Sequence, residues 1–229
     1  MKLAHPLDKP TWSALSTRQA EFARGNERAL RFAPEYGPHA GLLDNSPESV
    51  AALGLLDPGE DGLWLLETEP SPPPAGMRVD TLGFGHQMIA ERLTSADYIL
   101  EHVPLGEDDA AQMLALAKLT EPGPFAARTY QLGGFVGVKQ DGRLVAMAGE
   151  RIKPEGFTEV SGVCTHPDYR GRGYAGGLMR VVAARILARG EIPFLHVYAD
   201  NVGAIKLYES LGFVIRRAVT LTILVRAGA

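Results

Sequence analysis

The residue types able to do chemistry concentrate in one stretch, Val163-Cys164-Thr165-His166-Pro167-Asp168-Tyr169-Arg170-Gly171-Arg172-Gly173-Tyr174-Ala175-Gly176-Gly177. Glycines at 171, 173, 176 and 177 remove the Cβ atoms that would hold a ligand away from the backbone. Where such a turn opens a helix, the first N–H groups lack intrahelical partners and the helix dipole adds partial positive charge, so the turn attracts anions. Arg170 and Arg172 add fixed cations whose forked guanidinium matches a phosphate. The stretch is built for phosphate or pyrophosphate.

Gly171, Gly173 and Gly176 also satisfy G-x-G-x-x-G, and Asp200 lies at the end of the next strand, as in a dinucleotide-binding protein. Five residues, His166 to Arg170, separate the preceding strand from the first glycine, where a dinucleotide fold turns at once. Too few strand–helix units follow, and the strands before the turn are joined by a hairpin, which means antiparallel pairing. No G-x-x-x-x-G-K-[ST] run is present.

The elements that must position this turn read as follows. Val160 to Thr165 is the strand entering it, and Gly173 to Ala188 the helix leaving it, with Leu178, Val182 and Ile186 on one face and Gly190 as its stop. Upstream, Phe135 to Lys139 and Leu144 to Ile152 are strands joined through Gln140-Asp141-Gly142, a hairpin turn. Downstream come a strand, Phe194 to Tyr198, a helix, Val202 to Ser210, stopped by Gly212, and a strand, Val219 to Val225. A strand at Tyr98 to Val103 and a helix from Asp108 or Asp109 to Leu119, with Met113, Leu116 and Ala117 on one face, precede them. In the first ninety residues, helices are predicted at Ser16 to Arg31 and at Pro47 to Leu56 behind the cap Ser46. Leu63 to Leu66 is predicted as a strand, and the proline run Pro70 to Gly76 as a loop. The fold class is α/β (α+β), a mixed sheet with helices, and the divisions fall at residues 1–93 and 94–229.

The turn and its surroundings resemble the GNAT superfamily of N-acetyltransferases. The signature [RQ]-x-x-G-x-[GA] is met by Arg170, Gly173 and Ala175, after the His-Pro-Asp-Tyr approach at 166–169. A second signature, N-x-x-A-x-x-x-Y-E-x-x-G-F, is met by Asn201, Ala204, Tyr208, Glu209, Gly212 and Phe213. The resemblance spans Thr94 to Val225. It implies a mostly antiparallel central sheet flanked by helices, with acetyl-coenzyme A as co-substrate in a V-shaped gap between two neighbouring strands. It further implies that the backbone of Val163, Cys164 and Thr165 bonds the pantetheine arm. The amides of Arg170, Gly171, Arg172, Gly173, Tyr174, Ala175 and Gly176 would hold the pyrophosphate, so no metal is expected. Gly162 in mid-strand fits the bulge that splays the strands, or is simple packing.

Asn201, Ala204 and Tyr208 fall at i, i+3 and i+7 and share a helical face. Attack of an amine on a thioester expels a thiolate, which a phenol of pKa about 10 can protonate, so Tyr208 is the general-acid candidate unless it merely packs. Asn201 caps its helix, reaches the coenzyme, or does both. Strand alternation puts Glu159, Ser161, Val163 and Thr165 on one face, making Glu159 a candidate base or else an exposed strand-end carboxylate. His196 lies mid-strand beside the expected gap, and a lone histidine there is often a core residue. Cys164 reads as an inert buried thiol.

Composition sets the outer bounds. The chain has 229 residues, 45% of them hydrophobic, with a net charge of −4 and a single cysteine. That excludes a disordered chain, an internal disulfide and a chain-wide basic field for nucleic acid or membrane. No signal-peptide core or membrane span is visible, so a cytoplasmic monomer or homodimer is expected. The leading function is acyl transfer from acetyl-coenzyme A to a primary amine on a small molecule or peptide. The alternatives are a non-catalytic coenzyme-binding sensor and, behind it, a dinucleotide-binding protein. The first ninety residues read as a cap or as a degenerate second copy of the fold.

Overall fold

The computed structural model describes residues 5–95 and 100–228. The chain begins with a short helix α1 (Pro10–Leu15) and three short strands, β1 (Ala23–Gly25), β2 (Ala29–Phe32) and β3 (Ala40–Leu42), which form an antiparallel sheet. Helix α2 (Pro47–Gly54) starts where the sequence says it should, with Ser46 Oγ accepting the Ser49 N–H. Strands β4 (Leu63–Glu67) and β5 (Met77–Ile89) follow, separated by the proline run. Then come β6 (Val103–Leu105), α3 (Ala110–Thr120), β7 (Phe135–Gln140), β8 (Arg143–Glu150) and β9 (Phe157–Thr165). The chain closes with α4 (Tyr174–Ala188), β10 (Ile192–Tyr198), α5 (Val202–Leu211) and β11 (Val214–Arg226).

Among the described residues, eight strands form one sheet in the order β4-β11-β5-β10-β9-β8-β7-β6. Every pairing is antiparallel except β9 with β10. The β7–β8 hairpin turns on Asp141 and Gly142, both at positive φ. Helix α4 buries Leu178, Met179, Val182, Ala183 and Ile186 on one sheet face. Each such side chain stabilises the fold by roughly 1.5–3 kcal/mol where it is large and fully buried. On the other face α3 packs Met113, Leu116 and Ala117 around Phe135, and Leu7, Leu15 and Phe32 gather around Phe194.

One expectation for the early chain differs from the structure, and one strand has no counterpart among the elements predicted from the sequence. Ser16 to Arg31 is not a helix: α1 ends at Leu15, and Ala23 to Phe32 is a hairpin whose second strand also pairs with β3. Asn26 Oδ1 accepts the N–H groups of Arg28 and Ala29 and so closes that turn. Non-local pairing has overridden local helix preference. The strand without a counterpart is β5, thirteen residues long, which lies between β10 and β11 in the main sheet. The strand expected from Tyr98 lies partly outside the described residues, and β6 begins at Val103.

Candidate active site

The parallel pairing of β9 and β10 runs from Ile192 opposite Phe157 to Phe194 opposite Glu159, and stops. Beyond that point β9 pairs with β8 alone, and β10 with β5 alone. The two strands thus form a fork with its base at Glu159 and Phe194.

A bulge lies just past the base. Between Gly149 opposite Ser161 and Met147 opposite Cys164, β9 has one residue more than β8. Gly162 sits there at φ +63°, and a Cβ on it would lie 2.9 Å from the Phe135 ring. Bulge and packing are therefore both true of this glycine. The extra residue also changes which way later side chains point. Val160 and Val163 both pack in the α4-side core, while Cys164 joins the α3 side. The simple alternation that put Glu159, Ser161, Val163 and Thr165 on one face is broken here, because a bulge shifts the phase by one residue.

The glycine turn follows β9 through a single 3-10 turn, Pro167–Tyr169. Gly171 and Gly173 both have φ +76°, and Gly173 is the cap residue of α4. The first intrahelical bond runs from the Gly177 N–H to the Gly173 carbonyl, so the N–H groups of Tyr174, Ala175 and Gly176 precede the ladder. The Arg172 guanidinium lies over the Tyr169 ring, 4.9 Å from its centroid.

One cavity of about 640 Å³ gathers most of the residues singled out in the sequence. Val163, Cys164, Thr165, the whole turn from Arg170 to Gly176, Asn201 and Ala204 all line it. Tyr169 of the His-Pro-Asp-Tyr approach lines it too, and Thr120, Pro122, Gly203 and Leu207, which sequence patterns did not single out, complete its walls. Thr165 Oγ1 is buried there with no hydrogen-bond partner in the protein, a donor and acceptor left over for a guest. A long, phosphate-bearing molecule such as coenzyme A fits this lining: free amides and arginines at one end, an apolar strand edge at the other.

Asn201 caps α5, its Oδ1 accepting the Ala204 N–H at 3.1 Å. Tyr208 and Glu159 are not among the cavity-lining residues. Tyr208 packs partly buried against the α4-side core, and burial pushes its phenol above the ordinary value. Cys164 is buried, and burial pushes its thiol up to about 11, which keeps it an unreactive thiol.

Glu159 is no exposed strand end: it is 1% accessible. Arg151 grips both of its oxygens, Nε to Oε2 at 2.9 Å and Nη2 to Oε1 at 3.0 Å, and His196 Nδ1 lies 2.9 Å from Oε1. Burial alone would raise this carboxyl, but the Arg151 charge and the bond from His196 outweigh it and hold Glu159 well below the usual carboxylate range. No motif marks Arg151, which meets Glu159 only because the chain turns back between β8 and β9.

The FR47-like protein family matches residues 135–221. A GNAT-family protein of known structure from Novosphingobium aromaticivorans is 48% identical, with a TM-score of 0.90 over 97% of this chain and 99% of that one. A mycothiol acetyltransferase from Brachybacterium faecium is 30% identical over 200 residues, 81% of this chain and 58% of that protein. The N-alpha-acetyltransferase RimI of Mycobacterium tuberculosis is 36% identical over 101 residues, 41% of this chain and 62% of that protein. The chain thus matches less than two thirds of the length of either curated relative. Near-complete overlap with the Novosphingobium protein, on top of the forked strands and the two motifs, leads to one conclusion: the chain belongs to the GNAT family.

Proposed function

We propose that this chain moves an acetyl group from acetyl-coenzyme A to a primary amine, carried by a small molecule or a peptide. The observation that carries the reading is the fork. Past Glu159 the β9 backbone groups facing β10 have no ladder partner, and the two amides of a pantetheine arm can pair with them as a short strand would. The turn from Arg170 to Gly176 then receives the pyrophosphate on backbone N–H groups, with Arg170 and Arg172 beside it.

The chemistry is direct attack. The amine nitrogen bonds to the thioester carbonyl carbon, the carbon–sulfur bond breaks, the leaving sulfur takes a proton, and the nitrogen gives up its surplus proton to solvent water. Tyr208 supplies that proton, because a phenol raised by burial stays protonated at neutral pH. Glu159 serves as a fixed anion and not as the proton acceptor, since Arg151 and His196 engage its carboxylate and stabilise its charged form. Tyr208 packs on the α4 side of the sheet, and the Glu159–His196 pair lies on the other, where Leu7, Leu15 and Phe32 pack around Phe194.

Calorimetry with acetyl-coenzyme A, followed by a free-thiol assay across a panel of small amines and peptide N-termini, tests the reading. Binding with turnover on at least one amine is expected. Binding with no turnover and no slow hydrolysis would instead leave a coenzyme-binding module.

A further inference from the structure

On the face opposite α4, side chains form one hydrogen-bonded line across the sheet at the level where β9 and β10 part. It starts at Arg151, just past β8, and passes to Glu159 on β9 and His196 on β10. From His196 Nε2 it continues to Gln87 Nε2 on β5 at 3.2 Å. Arg216 on β11 then donates to Gln87 Oε1 at 2.9 Å and to Asp8 Oδ1 at 2.7 Å. Gln87 is 0% and Glu159 1% accessible.

Donor and acceptor chemistry gives the line a single direction. Arg216 has only donors, so Gln87 must present its oxygen to it and its NH₂ to the other side. That NH₂ donates to the Leu7 carbonyl at 2.8 Å and to His196 Nε2. His196 therefore accepts at Nε2, carries its proton on Nδ1 and gives it to Glu159.

Backbone register places the line at the fork. His196 and Gln87 are opposed across β10 and β5. Arg216 is the extra residue of a β11 bulge between Ile215 and Arg217. Glu159 belongs to the last backbone pair of β9 and β10, so the Glu159–His196 bond is a side-chain link where the ladder ends.

We propose that His196 is a positioning residue for acetyl transfer. Held as the Nδ1–H tautomer between Gln87 and Glu159, it clamps β10 to β9 at the base of the fork and fixes the width of the gap that takes the acyl donor. The proposal rests on the acetyl-coenzyme A reading. It gives the early chain a share in the site, since Gln87, Leu7 and Asp8 all act on the clamp.

Three variants test it: His196→Leu removes both bonds, His196→Asn keeps a donor close to the Nδ1 position, and Gln87→Leu frees the tautomer. Acetyl-coenzyme A affinity is read by calorimetry, and kcat and KM in the thiol assay. His196→Leu is expected to weaken acetyl-coenzyme A about tenfold and to lower kcat by a further ~10–100-fold, the scale of a misplaced reacting group. His196→Asn should recover most of both losses, and Gln87→Leu should show a smaller loss of the same sign. Lower melting temperatures with wild-type affinity and kcat in the folded protein would mean a merely structural role and overturn the clamp. If His196→Leu does not fold, wild-type affinity and kcat in Gln87→Leu overturn it alone. A wild-type protein that binds no acetyl-coenzyme A overturns the functional reading and the clamp together, whereas binding with unaffected variants overturns only the clamp.

Discussion

A phenol packed against an apolar core gives up its proton less readily than one in water, and Tyr208 is in that position. A general acid must be protonated, so kcat should stay level through neutral pH and fall only as pH rises through a value above the ordinary phenol pKa of 10.0. Tyr208→Phe should lower kcat on the order of 10–100-fold, remove that basic limb, and leave the dissociation constant of acetyl-coenzyme A within about twofold. Steady-state kinetics across pH with parallel calorimetry check this, and an unchanged kcat would take Tyr208 out of the mechanism. The helix face of Asn201, Ala204 and Tyr208 was legible in the sequence because its motif is local, and of the three Asn201 and Ala204 line the cavity. Glu159 was legible only as a carboxylate near the site. Its partners Arg151, His196 and the Gln87 behind them come from three other strands or strand ends, and one-dimensional spacing carries no trace of that meeting.

Among the elements, β9 carries one extra residue at Gly162, which puts Val160 and Val163 on the α4 side of the sheet and Cys164 on the α3 side. Gly162→Ala would place a methyl group 2.9 Å from Phe135 at a φ of +63°. The two penalties together should destabilise the protein by about 2–4 kcal/mol in urea unfolding. Adding Phe135→Leu should recover part of the packing penalty and none of the backbone one, so a double variant no better than the sum of the singles would count against this account. The turn after β9 was readable from its glycines and arginines because it is a contiguous feature with a local physical cause. Strand β5 was not. Its Gly83 and Gly85 look like strand breakers, yet each is small because something crosses it: a Cβ at 83 would lie 3.3 Å from the Tyr198 ring, and one at 85 would lie 2.6 Å from the Val197 carbonyl oxygen. The mistaken helix at Ser16 to Arg31 failed for the same reason, that its residues are claimed by partners distant in sequence.

For the whole molecule, the decisive fact is that strands from the first ninety residues complete the main sheet. β5 pairs with β10 along one edge and with β11 along the other, and β4 covers the far edge of β11. Without them β11 would have no place in the sheet, and the clamp at His196 would lose Gln87. A fragment of residues 94–229 should therefore show no cooperative melting transition and no acetyl-coenzyme A binding, whereas a cooperative melt with binding would make the early chain a dispensable cap. Differential scanning calorimetry of the fragment beside the full chain decides it.

The insertion of β5 also has a consequence in time. The chain is synthesised from its N-terminus, and β5 emerges roughly a hundred residues before β10, the first strand it can pair with. At about 5–20 residues per second, both of its edges wait unpaired for roughly 5–20 seconds on the ribosome. During that interval Leu82 and Phe84, still exposed on the finished protein, sit on an open strand able to pair with a neighbouring nascent chain. The arrangement that ties the early residues to the fork thus leaves the nascent chain with an open strand edge until its last strand is made.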